Sequence, residues 1–384
     1  MRILLLLLPI LLHAMTFEEW KAYRTTEAYQ KEQKQIADRK ARASDFSAAQ
    51  QHATDADNAQ NGGNPVLFHS STSRFTFHQN NVTGKIPLAS NVDLSKTYPS
   101  ITRLVVAIHS SGYDADIYLD NVLALLQSHP EMQARVGIVA PAFLLTTATR
   151  LRDIITWEVS PFRASSRAVK YGKKVQLSAY EVLDALLKQL IVSPSFPNLK
   201  HVVVLGHSAG GQMVNRYAVA NQIENTTAEQ HGVKMKYLVM APSSYVYFDN
   251  RRAIGGTTNR FETPRLDASA YNHWGFGLQK LYSYHKRHNI SAKSMKSEYP
   301  KRTVLYLVGE NDNHADESMG TSKGSMLQGR NRLERAVTYY NHLKDYFGNH
   351  IARNQSFAII KGVGHWGRGL ILSEEGARFI LYDR

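Results

Sequence analysis

The stretch His201-Val-Val-Val-Leu-Gly-His-Ser-Ala-Gly-Gly211 decides the fold, together with the residues Gln212-Met-Val-Asn-Arg-Tyr-Ala-Val-Ala220 that follow it. A run with β-strand character leads into a glycine-flanked serine, and a helical pattern leads away from it. Gly206, Ser208 and Gly210 form the pattern G-x-S-x-G, which marks a nucleophilic serine when it lies in a strand–turn–helix corner. The small flanking residues permit a strained turn that exposes the serine hydroxyl. We therefore predict Ser208 as a nucleophile.

Similar apolar, β-branched runs recur along the chain and alternate with helical patterns, one of which opens with the capping box Ser178-x-x-Glu181. Strands that are apolar on both faces are typical of a buried parallel sheet. Their alternation with helices predicts an α/β fold with a mostly parallel central sheet flanked by helices. The predicted strands are 68–78, 85–88, 101–109, 135–140, 201–205, 235–240, 303–308 and 356–360, and the predicted helices are 116–127, 182–191, 327–346 and 369–381.

A serine hydroxyl needs a base to activate it, and the base needs an acid to orient it. In sheets that carry such a serine turn, the order along the chain is serine, then Asp or Glu, then histidine. Asp312 and His365 each follow a predicted strand, at the edge where ligands collect in open α/β sheets. We predict the triad Ser208, Asp312 and His365. Asp316 and Glu310, which lie in the same loop as Asp312, are the alternatives for the acid.

The negative charge that develops during acyl transfer needs two N–H donors. The Ala209 N–H, directly after the serine, is the first predicted donor. The second should come from the loop after the strand 101–109, where we predict the N–H of Ser110 or Ser111. We interpret His109 as structural support for this loop and not as a second base.

Two stretches, 145–177 and 243–301, do not follow the alternation and are predicted as insertions that shape the binding site. Their aromatic residues are candidates for a substrate cleft, with ordinary packing as the alternative. The residues predicted to bind substrate are Trp157, Tyr245, Trp274 and Trp366.

The same insertions concentrate positive charge, with seven Lys or Arg in 150–174 and seven in 280–302. A basic field raises the local concentration of anionic partners. Candidate partners for this basic field are anionic lipid head groups, an envelope polysaccharide or a polyanionic ester. The alternative is a basic solvated surface without a specific partner. Because no nucleic-acid-binding module is visible, nucleic acid is not expected as a partner.

Composition narrows the class of protein. The 384 residues include 46 Lys and Arg against 32 Asp and Glu, which gives a formal charge of +14, and no cysteine. Zero cysteine excludes a disulfide scaffold, thiol catalysis and cysteine-ligated metal sites. An apolar content of 43% excludes a disordered tail-like protein.

The N-terminus differs from the rest of the chain. Residues 1–14 have a basic start, an apolar run over Ile3–Leu12 and a small residue at Ala14, which predicts a signal peptide cleaved near Ala14. The alternative, a membrane anchor, needs about 20 apolar residues. We predict a helical extension and linker over 15–64, a catalytic domain over 65–384, no transmembrane segment, and a secreted or periplasmic location.

From about Ser100 onward the chain resembles the α/β-hydrolase superfamily. The resemblance rests on His109–Gly112, Gly206–Gly210, Gly309–Asp312 and Gly364-His365. It implies acyl hydrolysis by the triad above. One departure is Ser110, where many relatives have glycine after the histidine. Further segments are similar to a secreted subset near carboxylesterases and polyester depolymerases, namely Phe196–Leu199, Gly210–Tyr217, Pro242–Tyr245, Tyr271–Trp274 and Gln328–Arg332.

The leading hypothesis is a serine hydrolase that cleaves small-molecule or polymeric esters through an acyl-enzyme, without cofactor or metal. A peptidase, amidase or acyltransferase with the same triad is the catalytic alternative, because fold and triad do not fix the acyl group or its acceptor. A catalytically silent hydrolase-like binding protein is the alternative from another class. A metal-dependent hydrolase is disfavoured by the absence of an H-E-x-x-H pattern.

Overall fold

The computed structural model describes residues 73–146, 153–158, 161–316 and 319–383. The predicted signal peptide, the helical extension over 15–64 and the start of the predicted catalytic domain lie outside the described residues. They stay predictions.

An eight-stranded sheet forms the centre of the described structure. It has the order β1-β2-β4-β3-β7-β8-β11-β12. The first two strands pair antiparallel, β2 also pairs antiparallel with β4, and all other neighbours are parallel. The strands are β1 (Ser73–Gln79), β2 (Val82–Ser90), β3 (Arg103–Ile108), β4 (Val136–Pro141), β7 (His201–His207), β8 (Lys234–Met240), β11 (Thr303–Gly309) and β12 (Gln355–Ile360).

Helices connect the parallel strands, as the alternating pattern predicts. The interior strands β3 and β4 are buried along their whole length, which explains their unbroken apolar sequence. The helices are α1 (Ala115–Gln127), α2 (Ala179–Val192), α3 (Ala209–Ala220), α4 (Ser283–Arg287), α5 (Ala292–Glu298), α6 (Lys323–Met326), α7 (Arg332–Phe347), α8 (Gly367–Ile371) and α9 (Glu374–Leu381).

The two insertions contain short elements of their own. The first holds a hairpin of β5 (Arg167–Lys170) and β6 (Lys173–Ser178), and the second holds the pair β9 (Arg252–Ala253) and β10 (Phe261–Glu262). Both insertions follow the carboxyl ends of parallel strands, so they lie at the edge of the sheet that carries Ser208. The predicted capping box is confirmed, since Ser178 and Glu181 bond each other's backbone N–H at the start of α2.

Two helix predictions were wrong at their boundaries. The helix predicted over 327–346 begins five residues later, because Gly329 adopts a φ of +144° and Asn331 caps the N-terminus of α7. The pattern over 369–381 covers two helices, because Ser373 ends the turn of α8 and caps α9. In both places a polar cap interrupts an amphipathic pattern that continues through it.

Across the described residues, no helix is long and apolar enough to cross a membrane.

Candidate active site

Ser208 lies in the sharp turn between β7 and α3. Its backbone has φ 56° and ψ −113°, a conformation that costs a non-glycine residue roughly 1–3 kcal/mol. The Ser208 N–H donates to the Met240 carbonyl oxygen at 2.9 Å, which ties the turn to the neighbouring strand. A Cβ on Gly206 would lie 2.4 Å from the Gly210 backbone, and a Cβ on Gly210 would lie 2.4 Å from the Ile108 carbonyl oxygen. The glycines are therefore required by close backbone approach.

Asp312 and His365 meet at the ends of two adjacent strands. The His365 Nδ1 and the Asp312 Oδ2 are 2.7 Å apart, and the Asp312 side chain is 2% exposed against 23% for His365. This leaves the imidazole accessible while its acid is shielded from water. A Cβ on Gly309 would lie 2.2 Å from the Val363 carbonyl oxygen, so the loop before Asp312 packs directly on the loop before His365.

The two alternative acids have other partners. Glu310 accepts a hydrogen bond from the Gly362 N–H at 2.9 Å, and the Asp316 carboxylate accepts two from Arg332 at 2.6 and 3.0 Å. Asp312 is therefore the one of these three carboxylates that bonds to His365.

Arg332, the first residue of α7, was not predicted to belong to the site. Its fully buried guanidinium contacts the Asp312 Oδ1 at 3.3 Å while it is paired with Asp316. Burial alone would lower the pKa of Arg332, but the hydrogen bonds and charges of Asp316 and Asp312 raise it above its usual value. Both Asp312 oxygens are thus held, one by His365 and one by Arg332. Its only sequence signal was its position in the segment Gln328–Arg332.

The His207 ring packs against the His365 ring, and the sequence did not predict this contact either. The two ring centroids are 4.4 Å apart, and the His207 Nδ1 lies 2.9 Å from the Tyr118 hydroxyl. Burial lowers the pKa of His207 well below its usual value, and His365 and Arg332 lower it further. These shifts favour the neutral form of His207, which packs against His365 without adding charge.

The loop after β3 is held by His109. Its buried ring accepts a hydrogen bond from the Phe143 N–H at Nε2 (2.8 Å), so Nδ1 carries the proton and donates it to the Ser110 carbonyl oxygen at 2.7 Å. Burial lowers the pKa of His109, which favours this neutral form. In a trans peptide the C=O and the next N–H point in opposite directions, so the Ser111 N–H points away from His109. This agrees with the structural interpretation of His109.

The Ser208 hydroxyl and His365 are not hydrogen-bonded to each other within the described part of the chain. Catalytic hydrogen bonds are often long before substrate binds and shorten in the complex. His365 nevertheless lies beside the serine turn, since its ring packs on His207, the residue that precedes Ser208.

The four predicted substrate-binding aromatics have different environments. Trp157, Tyr245 and Trp274 are at most 1% exposed, so they pack inside the fold and offer no surface to a substrate in this structure. Trp274 donates its indole N–H to the Ala164 carbonyl oxygen at 3.0 Å. Trp366 is 39% exposed and directly follows His365. The aromatic composition therefore overstated the cleft, and ordinary packing accounts for three of the four.

No cluster of three or more His, Asp or Glu suited to a metal ion occurs among the residues that the structure describes.

Comparisons with known proteins give a fold but no close relative. No protein-family model matches the chain, and no curated protein matches it. Among solved structures, a poly(3-hydroxybutyrate) depolymerase from Bordetella parapertussis is 16% identical with a TM-score of 0.51, covering 79% of this chain and 90% of its own. A poly(aspartic acid) hydrolase from Sphingomonas sp. KT-1 is 14% identical with a TM-score of 0.50, covering 80% and 97%. With the strand order and the serine turn, this similarity shows that the chain has the α/β-hydrolase fold.

Proposed function

We propose that the protein is a serine hydrolase that cleaves carboxylic esters with Ser208, Asp312 and His365. The observation that carries the proposal is the pair of Asp312 and His365 at 2.7 Å, on the same sheet edge as a serine held at positive φ. A nucleophile, a base and an orienting acid in this order are what hydroxyl activation requires.

In the proposed reaction, the Ser208 Oγ attacks the ester carbonyl carbon while the His365 Nε2 takes the hydroxyl proton. The tetrahedral intermediate collapses when His365 returns that proton to the departing alcohol, leaving an acyl-serine. Water then attacks the acyl group with His365 again as base, and the acid product leaves as Ser208 regains its proton. Asp312 stabilises the imidazolium that forms in both steps.

The oxyanion is bound by two backbone N–H groups in this proposal. The Ala209 N–H opens α3, where the helix dipole also favours negative charge. Of the two predicted donors in the loop after β3, the hydrogen bond from His109 to the Ser110 carbonyl oxygen favours the Ser111 N–H. Within the described residues, no backbone acceptor takes the Ser111 N–H.

The choice of an ester over an amide is supported by the resemblance in sequence and by one of the two similar structures. By their names, one similar structure depolymerises a polyester and the other hydrolyses poly(aspartic acid). A peptidase, an amidase or an acyltransferase would use the same three residues. The ester proposal follows the ester-cleaving example and the resemblance in sequence, and a substrate panel decides it.

The test has two stages. A fluorophosphonate probe should label the folded wild-type protein and fail to label Ser208→Ala, with circular dichroism to show that the variant is folded. Absence of labelling in folded wild type would overturn the enzyme proposal. Wild type is then assayed on p-nitrophenyl esters of increasing acyl length beside peptide anilides. A preference for the anilides would replace the esterase with an amidase or peptidase.

We also propose export to the periplasm or medium, supported by the apolar run Ile3–Leu12 and the small residue Ala14. Expressed with its own N-terminus in a bacterial host, the mature protein should begin after Ala14 in the periplasmic fraction. Mass spectrometry of an uncleaved cytosolic protein would contradict this.

A further inference from the structure

A groove separate from the triad runs between the two insertions. One wall comes from the residues around β5 and β6, and the other from Leu281 to Lys286 at the start of α4. Its volume is about 570 Å³, which is in the range of small-molecule sites. We propose that this groove binds a carboxylate on the part of the substrate distant from the scissile bond. The inference rests on the proposed ester hydrolysis and names its substrate class, an ester whose acyl or alcohol chain ends in a carboxylate.

The groove carries an excess of positive charge. Arg167, Lys174 and Lys286 line it, against one carboxylate, Glu158, among the described lining residues. Glu158 is paired with Lys174 at 3.1 Å. Within the described part of the chain, Arg167 and Lys286 form no ion pair. Two cations from different insertions therefore line one groove, and neither is paired with a carboxylate of the described residues.

Ser165 is the second, independent observation. Ser165 is one of the residues that line the groove, but it is 2% exposed and its buried hydroxyl has no hydrogen-bond partner among the described residues. Buried polar groups in folded proteins are nearly always hydrogen-bonded, so such a hydroxyl indicates a missing partner. Its backbone has a φ of 61°, in a region that few non-glycine residues adopt. A rotation of the side chain toward the groove would let this hydroxyl donate to a carboxylate oxygen bound there.

A chain of packed residues connects the groove to the serine turn. The Phe162 ring packs on His109 with centroids 5.1 Å apart, and His109 belongs to the loop that Gly210 touches. Ser165 follows Phe162 by three residues, which span at most ~11 Å of extended chain. None of the triad residues lines the groove, so a substrate held at Ser208 would need an extended chain to place its far end there.

Apolar and hydroxyl groups complete the lining. Leu281 and Tyr282 can contact methylene groups, and Ser166 and Ser283 can donate to carboxylate oxygens. Hydrogen bonds between charged groups are stronger than neutral ones, but Arg167 and Lys286 are exposed, so each contributes modestly. The expected result is a preference between substrates and not an absolute requirement.

The test compares two esters of the same length. One is the mono-p-nitrophenyl ester of sebacic acid, with a free carboxylate, and the other is its methyl-capped counterpart, which is neutral. Wild type should favour the anionic ester in kcat/KM by roughly fivefold at low salt. The preference should shrink when the ionic strength is raised to 0.5 M. It should also disappear for shorter diacid hemiesters that cannot reach the groove.

The double variant Arg167→Gln/Lys286→Gln should bring the ratio close to one. A matched control, Lys200→Gln/Lys234→Gln, removes the same charge from exposed lysines at the opposite edge of the sheet and should keep the wild-type ratio. An equal loss in both variants would mean a general field effect and overturn the groove proposal. So would a wild-type ratio of one, or a ratio unchanged in the groove variant.

A binding measurement separates this proposal from the proposed function. If neither ester is hydrolysed, ester hydrolysis fails, and the groove is tested by calorimetric titration of the same folded protein with sebacate. Sebacate binding that is lost in Arg167→Gln/Lys286→Gln and kept in the lysine control supports the groove. No binding by wild type, or equal binding by all three proteins, overturns it.

Discussion

Two ion pairs at the same end of the molecule differ sharply in environment. Arg332 and Asp312 are 0% and 2% exposed, whereas Lys174 and Glu158 are 55% and 56% exposed. The first pair fixes the acid of the proposed triad, and the second lies in the groove between the insertions. Where atoms must stay in place for chemistry, the fold uses buried charges with several partners. Where a substrate must enter and leave, it uses exposed charges whose individual contributions are small.

The largest effect is expected inside the buried region. Asp312→Asn keeps the shape but removes the charge that orients His365, and kcat should fall by roughly 10⁴-fold, as for the corresponding change in a serine protease. The measurement is kcat on a p-nitrophenyl ester at pH 7–9. Asp316→Asn, which alters the neighbouring carboxylate, is the control and should lose much less. An equal loss of kcat in both variants would mean that Asp312 is not the specific acid that orients His365.

The next largest effect is expected on the free energy of unfolding. Two arginines near the start of α7, one buried and one exposed, allow a direct comparison. Arg332→Met leaves Asp312 and Asp316 without their buried cation and should lower the free energy of unfolding by about 3–5 kcal/mol. Arg330 is 81% exposed and paired with Glu334, so Arg330→Gln should cost less than about 1 kcal/mol. Urea unfolding of both variants gives the difference. Similar values would show that the buried pair adds nothing beyond a surface one.

The oxyanion loop should give a smaller and purely kinetic effect. His109→Phe keeps an aromatic ring but removes the hydrogen bond to the Ser110 carbonyl oxygen and the one that His109 accepts from the Phe143 N–H. If the Ser111 N–H then misorients, kcat should fall by about 10²-fold with little change in KM. His109→Gln, which can donate and accept, should recover part of the loss. A change in KM alone would assign His109 to substrate binding.

The exposed region should give the smallest effect on stability. Arg167→Gln/Lys286→Gln should change the free energy of unfolding by no more than about 0.5 kcal/mol, because both side chains are exposed and unpaired within the described chain. Urea unfolding measures this against Lys200→Gln/Lys234→Gln. A loss of several kcal/mol would mean that these cations hold the insertions together, which would remove the contrast between the two regions.

The sheet and the serine turn could be predicted from the sequence because their signals are local. A largely apolar run marks each interior parallel strand, and the glycines around Ser208 mark a turn that larger residues would block. Arg332 and His207 could not be predicted, because nothing local distinguishes a buried arginine or histidine from a surface one. Trp157 and Trp274 show the opposite error, since aromatic residues suit a cleft and a core equally.

The contact of Gly309 with the Val363 carbonyl oxygen has a consequence for protein engineering. Since there is no room for even a methyl group between the two loops, the acid loop and the histidine loop behave as one unit. Exchanging either loop alone with that of another hydrolase would bring mismatched backbones together at this point. Loop grafts into this scaffold should therefore transfer both segments together.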